Sequence, residues 1–171
     1  WAKLNNLKQA AKTMNFLTEH EISNYGELES KLTALSARRD TAHAEIKRIE
    51  SRSAELTLVM KQAGTYRQLK PLYDRYRKSN DKEKFLRGHE SEIILFEAAA
   101  RELKRLGAVP LPTTESMKTE LANLSAEKER LLAEYKTART EAQEYETVKQ
   151  NVDALLAVPK EQEQQRRHEL E

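Results

Sequence analysis

Two stretches of this chain repeat apolar residues in alternating steps of three and four, and that spacing leaves little choice of architecture. Tyr25, Leu28, Leu32, Leu35, Arg39, Ala42, Ile46, Ile49, Ser53, Leu56, Met60 and Ala63 form one seam. Met117, Leu121, Leu124, Lys128, Leu131, Tyr135, Ala138, Ala142, Tyr145, Lys149, Val152 and Leu156 form another. A 3.5-residue average step holds one stripe on the same side of an α-helix, where a second helix can bury it. Each seam covers roughly 40 residues, so each helix would be about 60 Å long at 1.5 Å per residue. Composition agrees: Ala, Glu, Lys, Leu and Arg supply 96 of the 171 residues, the mix of long helices and coiled coils. Four glycines and four prolines are too few for the turns of a β-sandwich or a doubly wound α/β fold.

The expected fold is therefore all-α: a long antiparallel coiled-coil helical hairpin with a small helical subdomain at its tip and a short N-terminal helix at its base. The long helices are expected at 24–64 and 113–157, the tip at 65–110 and the N-terminal helix at 1–20. Asn24, Gly26 and the glutamates at 27 and 29 mark the start of the first long helix, and Gly64 reads as its left-handed C-cap. Thr113 or Thr114 can cap the second. A hairpin in one chain matches every seam layer without a partner and is favoured; a parallel or domain-swapped dimer, which would bury the same stripes, is the alternative. With Ala63 opposite Met117, Lys128 falls near Ser53 and Arg39 near Glu141 and Ala142. Polar seam residues such as Arg39, Lys128 and Lys149 commonly fix register.

In the N-terminal helix Leu4, Leu7, Ala11, Met14, Phe16 and Leu17 fit one stripe, expected to pack at the hairpin base. The tip reads as a helix over 66–79 broken or started near Pro71, a turn at Asn80-Asp81, a brief helix to Gly88, and another from Ser91 to Leu106 ended by Gly107. The run Ile93–Phe96 is apolar all round and needs cover. Residues 158–171 read as a polar tail, frayed or disordered beyond Pro159. The opening Trp1-Ala2-Lys3-Leu4 and the closing Leu170-Glu171, which resembles the start of a purification-tag linker, suggest a piece of a larger protein. No apolar run approaches the ~20 residues that cross a bilayer, so a cytoplasmic protein without membrane insertion is expected.

Chemistry is sparse. There is no cysteine, and His20, His43, His89 and His168 are scattered without metal-ligand spacing. Gly26, Gly64, Gly88 and Gly107 stand singly, so no phosphate-cradling loop forms. The pairs Glu127/Glu129 and Glu144/Glu146 lie two apart and hence on different helix faces. No catalytic residue, metal or cofactor is expected.

Charge is more informative. Nine basic and three acidic residues lie between positions 61 and 87, against a net +2 for the whole chain. Tyr66, Tyr73, Tyr76 and Phe85 interleave with them. Cations bind phosphates and aromatic faces stack on unpaired bases, a mixture suited to single-stranded or distorted nucleic acid. The competing account makes the tyrosines a cover for the tip core and the cations a solvated face.

The stretch from Tyr66 to Gly107 (YRQLKPLYDRYRKSNDKEKFLRGHESEIILFEAAARELKRLG) and the opening WAKLNNLKQAAKTMNFLTEH resemble the region downstream of the nuclease domain in bacterial mobilisation relaxases. The similarity extends to about residue 156. Such relaxases nick one strand at a transfer origin through a tyrosine, assisted by a metal in a histidine cluster. This chain lacks that cluster, and no nicking role passes to any of its tyrosines. The resemblance implies a non-catalytic helical region of a DNA-nicking relaxase, not an enzyme in itself. Such a region would hold transfer-origin DNA, contact accessory mobilisation proteins or be recognised by a secretion channel. Arg67, Lys70, Arg75, Arg77, Lys78, Lys82, Lys84 and Arg87 are the expected phosphate contacts, with Tyr73 or Tyr76 stacking. A protein-interaction scaffold, docking through the seam exterior or the Ile93–Phe96 helix, is the alternative.

Overall fold

The computed structural model describes the backbone of residues 2–168 and the side chains of residues 4–157. Among these residues the regular structure is all helical: α1 (Ala2–Glu19), α2 (Tyr25–Lys78), α3 (Lys82–Arg105) and α4 (Thr114–His168). The chain divides into two compact units. One is formed by residues 1–44 with 131–171, the other by residues 45–130.

In the first unit α1 ends at a turn where Glu21 takes a left-handed φ of 54° and Ile22 N–H returns to the Leu17 carbonyl at 2.8 Å. Asn24 then caps α2, accepting from Glu27 N–H at 3.0 Å, while Glu27 reaches back to Ser23 N–H at 2.7 Å. This reciprocal arrangement is close to a capping box. α2 and the C-terminal part of α4 run antiparallel here. Tyr25 Oη donates to Asp153 at 2.6 Å, Lys149 meets Glu29 at 3.7 Å, and Arg38 meets Glu134 at 3.0 Å. Leu28, Tyr145 and Val148 form the core, covered by Phe16, Leu17 and Ile22.

Docking of α1 differs from the expectation. Phe16 and Leu17 do turn inward, but Leu4, Leu7 and Met14 are exposed. The N-terminal half of α1 meets α4 through polar groups instead: Gln9 Nε2 donates to Asn151 Oδ1 at 2.6 Å, and Asn151 Nδ2 donates to Thr13 Oγ1 at 3.2 Å. Thr13 is 2% exposed; its hydroxyl is satisfied by donating to the Gln9 carbonyl at 3.0 Å, so burying it carries little desolvation penalty.

In the second unit α2 and α4 again run antiparallel, with Lys128 on Glu50 at 2.7 Å and Arg52 on Glu120 at 2.7 Å. Lys128 therefore sits one helical turn from its expected neighbour Ser53. Ala63 and Met117 share a core cluster with Leu56, Val59, Leu103 and Ala108. α3 thus folds back along α2, and Val59, one residue off the seam, is buried with Leu103 and Ala108. The expected stop at Gly64 does not occur, nor does a break at Pro71: α2 continues to Lys78. A helical glycine costs about 1 kcal/mol and an interior proline about 3. Packing on either side of both positions opposes that cost. Phe96, 5% exposed, lies between Tyr66 (4.8 Å) and Tyr73 (4.1 Å), stacked on each, and so bridges α2 across Pro71.

α3 is kinked at His89 (φ −142°, ψ 25°), matching the expected division after Gly88. It ends in a Schellman motif: Gly107 N–H reaches the Lys104 carbonyl (3.1 Å) and Ala108 N–H the Leu103 carbonyl (2.9 Å). Gly107 takes φ 67°, where a side chain would be strained. Thr113 caps α4 by accepting from Ser116 N–H at 3.1 Å. The expected polar tail at 158–171 is helical as far as His168. Trp1 and the Leu170-Glu171 pair lie outside the described residues.

Candidate nucleic-acid interface

The basic segment folds as the end of α2, a three-residue turn and the start of α3. Asp81 caps α3 by accepting from Lys84 N–H at 2.9 Å, and Ser79 Oγ donates to the Asp81 carbonyl at 3.1 Å. Arg75, Arg77 and Lys78 occupy the last turn of α2; Lys82 and Lys84 follow in the first turn of α3. All five side chains are exposed. Among the described residues none of the five has a carboxylate at ion-pair distance.

The other expected contacts are differently placed. Arg67 donates to Thr114 Oγ1 at 2.7 Å and to the Pro112 carbonyl, tying α2 to the segment before α4. Lys70 pairs with Asp74 at 2.8 Å, and this hydrogen bond raises its pKa. Arg87 meets Glu83 at 3.5 Å in a fully solvated pair of little energetic weight. Tyr73 gives one ring face to Phe96 and donates to Glu97 at 3.3 Å; burial, then the Glu97 charge, pushes its phenol up. Among the described residues the Tyr76 ring makes only tilted ring contacts, to Tyr73 at 5.9 Å and Phe85 at 6.1 Å. It is the tyrosine with the less committed ring.

A continuous ring chain therefore runs Tyr66–Phe96–Tyr73–Tyr76–Phe85–His89. It underlies the basic turn and holds the two helix ends together. Beside it, a hollow of about 330 Å³ is lined by Ser79, Asp81, Lys84, Phe85, Gly88 and His89. Sequence reasoning found the tyrosines but not their shared partner; the signal was the seven-residue spacing of Tyr66 and Tyr73, which returns both to one helix face.

Electrostatics separates the two halves of the turn. Cations at the α2 C-terminus complement the helix macrodipole and need no further explanation. Lys82 and Lys84 stand at the N-terminus of α3, where the macrodipole disfavours cations, beside the counter-charges of Asp81 and Glu83.

Among the described residues no group of three or more histidine, aspartate or glutamate side chains is arranged to hold a metal ion. No helix there is long and apolar enough to cross a membrane. Compared with protein-family models, curated proteins and solved structures, the chain has no match.

Proposed function

We propose that this chain is a non-catalytic DNA-binding module that grips the phosphate backbone at the α2–α3 turn. In keeping with the sequence resemblance, its place would be downstream of the nuclease in a mobilisation relaxase, on transfer-origin DNA. One observation carries the reading: Arg75, Arg77, Lys78, Lys82 and Lys84 flank a single turn, exposed and, among the described residues, without carboxylate partners. Two of them occupy a helix end where cations are disfavoured. An incoming phosphate would relieve that repulsion and release counterions. Tyr76 is placed to stack on an unpaired base, whereas Tyr73 would have to leave Phe96 to do so.

Titration of labelled single- and double-stranded DNA by fluorescence anisotropy tests this reading. Neutralising about five phosphates predicts a roughly hundredfold to five-hundredfold loss of affinity between 50 and 200 mM salt. The triple variant Arg75→Glu/Arg77→Glu/Lys78→Glu is expected to lose binding with its helical circular dichroism unchanged. Affinity equal to that of the parent chain would refute the assignment.

A second reading, a scaffold for accessory mobilisation proteins, is supported by Ile94 and Leu95, both about half exposed on α3. It predicts partner capture that survives the charge reversal and fails with Ile94→Ser/Leu95→Ser.

A further inference from the structure

α1 displays an apolar stripe that no described residue of the first unit covers. Leu4, Leu7 and Met14 are 57%, 67% and 59% exposed. With Ala11 they follow the three-four step of a coiled-coil seam, opposite the face that carries Gln9 and Thr13. To one side of it Leu155 of α4, also exposed, lines a hollow of about 180 Å³ with Asn6, Gln9 and Ala10 of α1. Large apolar residues gathered this way mark an interaction surface more than scattered ones do.

Charge indicates what lies on it. Lys8 and Lys12 lie beside the stripe, on the wall of a neighbouring groove of about 840 Å³ between α1 and α4 that Glu19 and Glu144 also line. Among the described residues neither has an ion-pair partner, and α1 carries no acidic residue before Glu19. A second copy of α1, laid antiparallel on the first, would bring four lysines together along one flank with no acid of its own before Glu19 to meet them, which opposes pairing. A membrane surface suits the helix poorly too. The stripe is as narrow as a coiled-coil seam, and the polar face that an interfacial helix keeps in water is here bonded to α4.

We infer that the outer face of α1, with Leu155 at its edge, is a docking seam for an amphipathic helix of another protein whose flanks carry glutamate or aspartate. The partner's apolar residues cover Leu4, Leu7 and Met14, and its carboxylates pair with Lys8 and Lys12.

Two synthetic helical peptides of three heptads serve as probes, both with leucine at the seam positions. One has glutamate on both flanks and the other lysine, so that each repels itself and stays single. Anisotropy with the full chain is expected to show the glutamate peptide binding at least tenfold tighter than the lysine peptide. Lys8→Glu/Lys12→Glu should reverse that order, and Leu4→Ser/Leu7→Ser/Met14→Ser should abolish both interactions. Reversing Arg75, Arg77 and Lys78 should leave them intact, which separates this seam from the proposed DNA site. Equal binding of the two peptides, no binding, or binding lost with the α2–α3 turn charges would overturn the inference. So would a dimer of the chain alone that Leu7→Ser dissolves, or adsorption to anionic phosphatidylglycerol vesicles abolished by the stripe variant.

Discussion

α1 and α3 are both short helices laid against a much longer one, yet they dock in opposite senses. α3 turns its apolar side inward: Ile93, Phe96, Ala99 and Leu103 are buried and the charge faces out. The N-terminal half of α1 turns a polar side inward, with Gln9, Thr13 and Asn151 bonded together, and leaves its leucines outside. Packed rings and aliphatic groups contribute several kcal/mol per side chain, while a hydrogen bond exchanged for one with water contributes about 1. The α3 joint should therefore hold the fold, and the N-terminal half of the α1 joint should open readily.

The largest test of that contrast is Phe96→Ala. It removes the ring between Tyr66 and Tyr73 and should cost about 3–5 kcal/mol in urea unfolding. A loss under 1 kcal/mol would mean that α2 does not depend on Phe96 to cross Pro71. On the α1 side, Thr13→Val strips the hydroxyl from Asn151 and the Gln9 carbonyl, with an expected cost of about 1–2 kcal/mol. Hydrogen exchange should place that loss in α1 and spare α3. Gly64→Ala should stabilise by about 0.5–1 kcal/mol, because a methyl group there meets no neighbour; a destabilised variant would contradict the continuous α2. Leu7→Ser should change stability by less than 0.5 kcal/mol, since its side chain is already in water. A larger loss would show that the stripe belongs to the core of the first unit.

The same contrast explains what could be read beforehand. Regular burial was legible: Leu28, Ala42, Ile46, Ile49 and Leu56 on one seam and Met117, Leu131, Ala138, Ala142 and Tyr145 on the other are buried, because period alone selects a helix face when many layers agree. Local punctuation was legible where geometry has no alternative, as at Gly107 and Asp81. It misled at Gly64 and Pro71, where tertiary packing of rings distant in sequence outweighs a local preference. The face of α1 was misread because a short stripe says which residues group together, not whether the surface they form is the one that docks. At the candidate site the basic cluster was evident, but the employment of Arg67 by Pro112 and Thr114 depends on a loop 45 residues away and leaves no local trace.

Lys149 carries a different kind of consequence. Its ammonium meets Asp153 and Glu29 and lies 5.2 Å from the Tyr25 ring centroid. Its interaction with Tyr25, first, and its hydrogen bond to Asp153 hold its pKa well above the usual lysine value. An amine must shed its proton to attack an acylating reagent, so Lys149 should be among the last lysines to be labelled. The protein thus contains its own blank for chemical footprinting. Protection of Lys82 and Lys84 by DNA, or of Lys8 and Lys12 by an acidic helix, can be read against a lysine that neither ligand should alter.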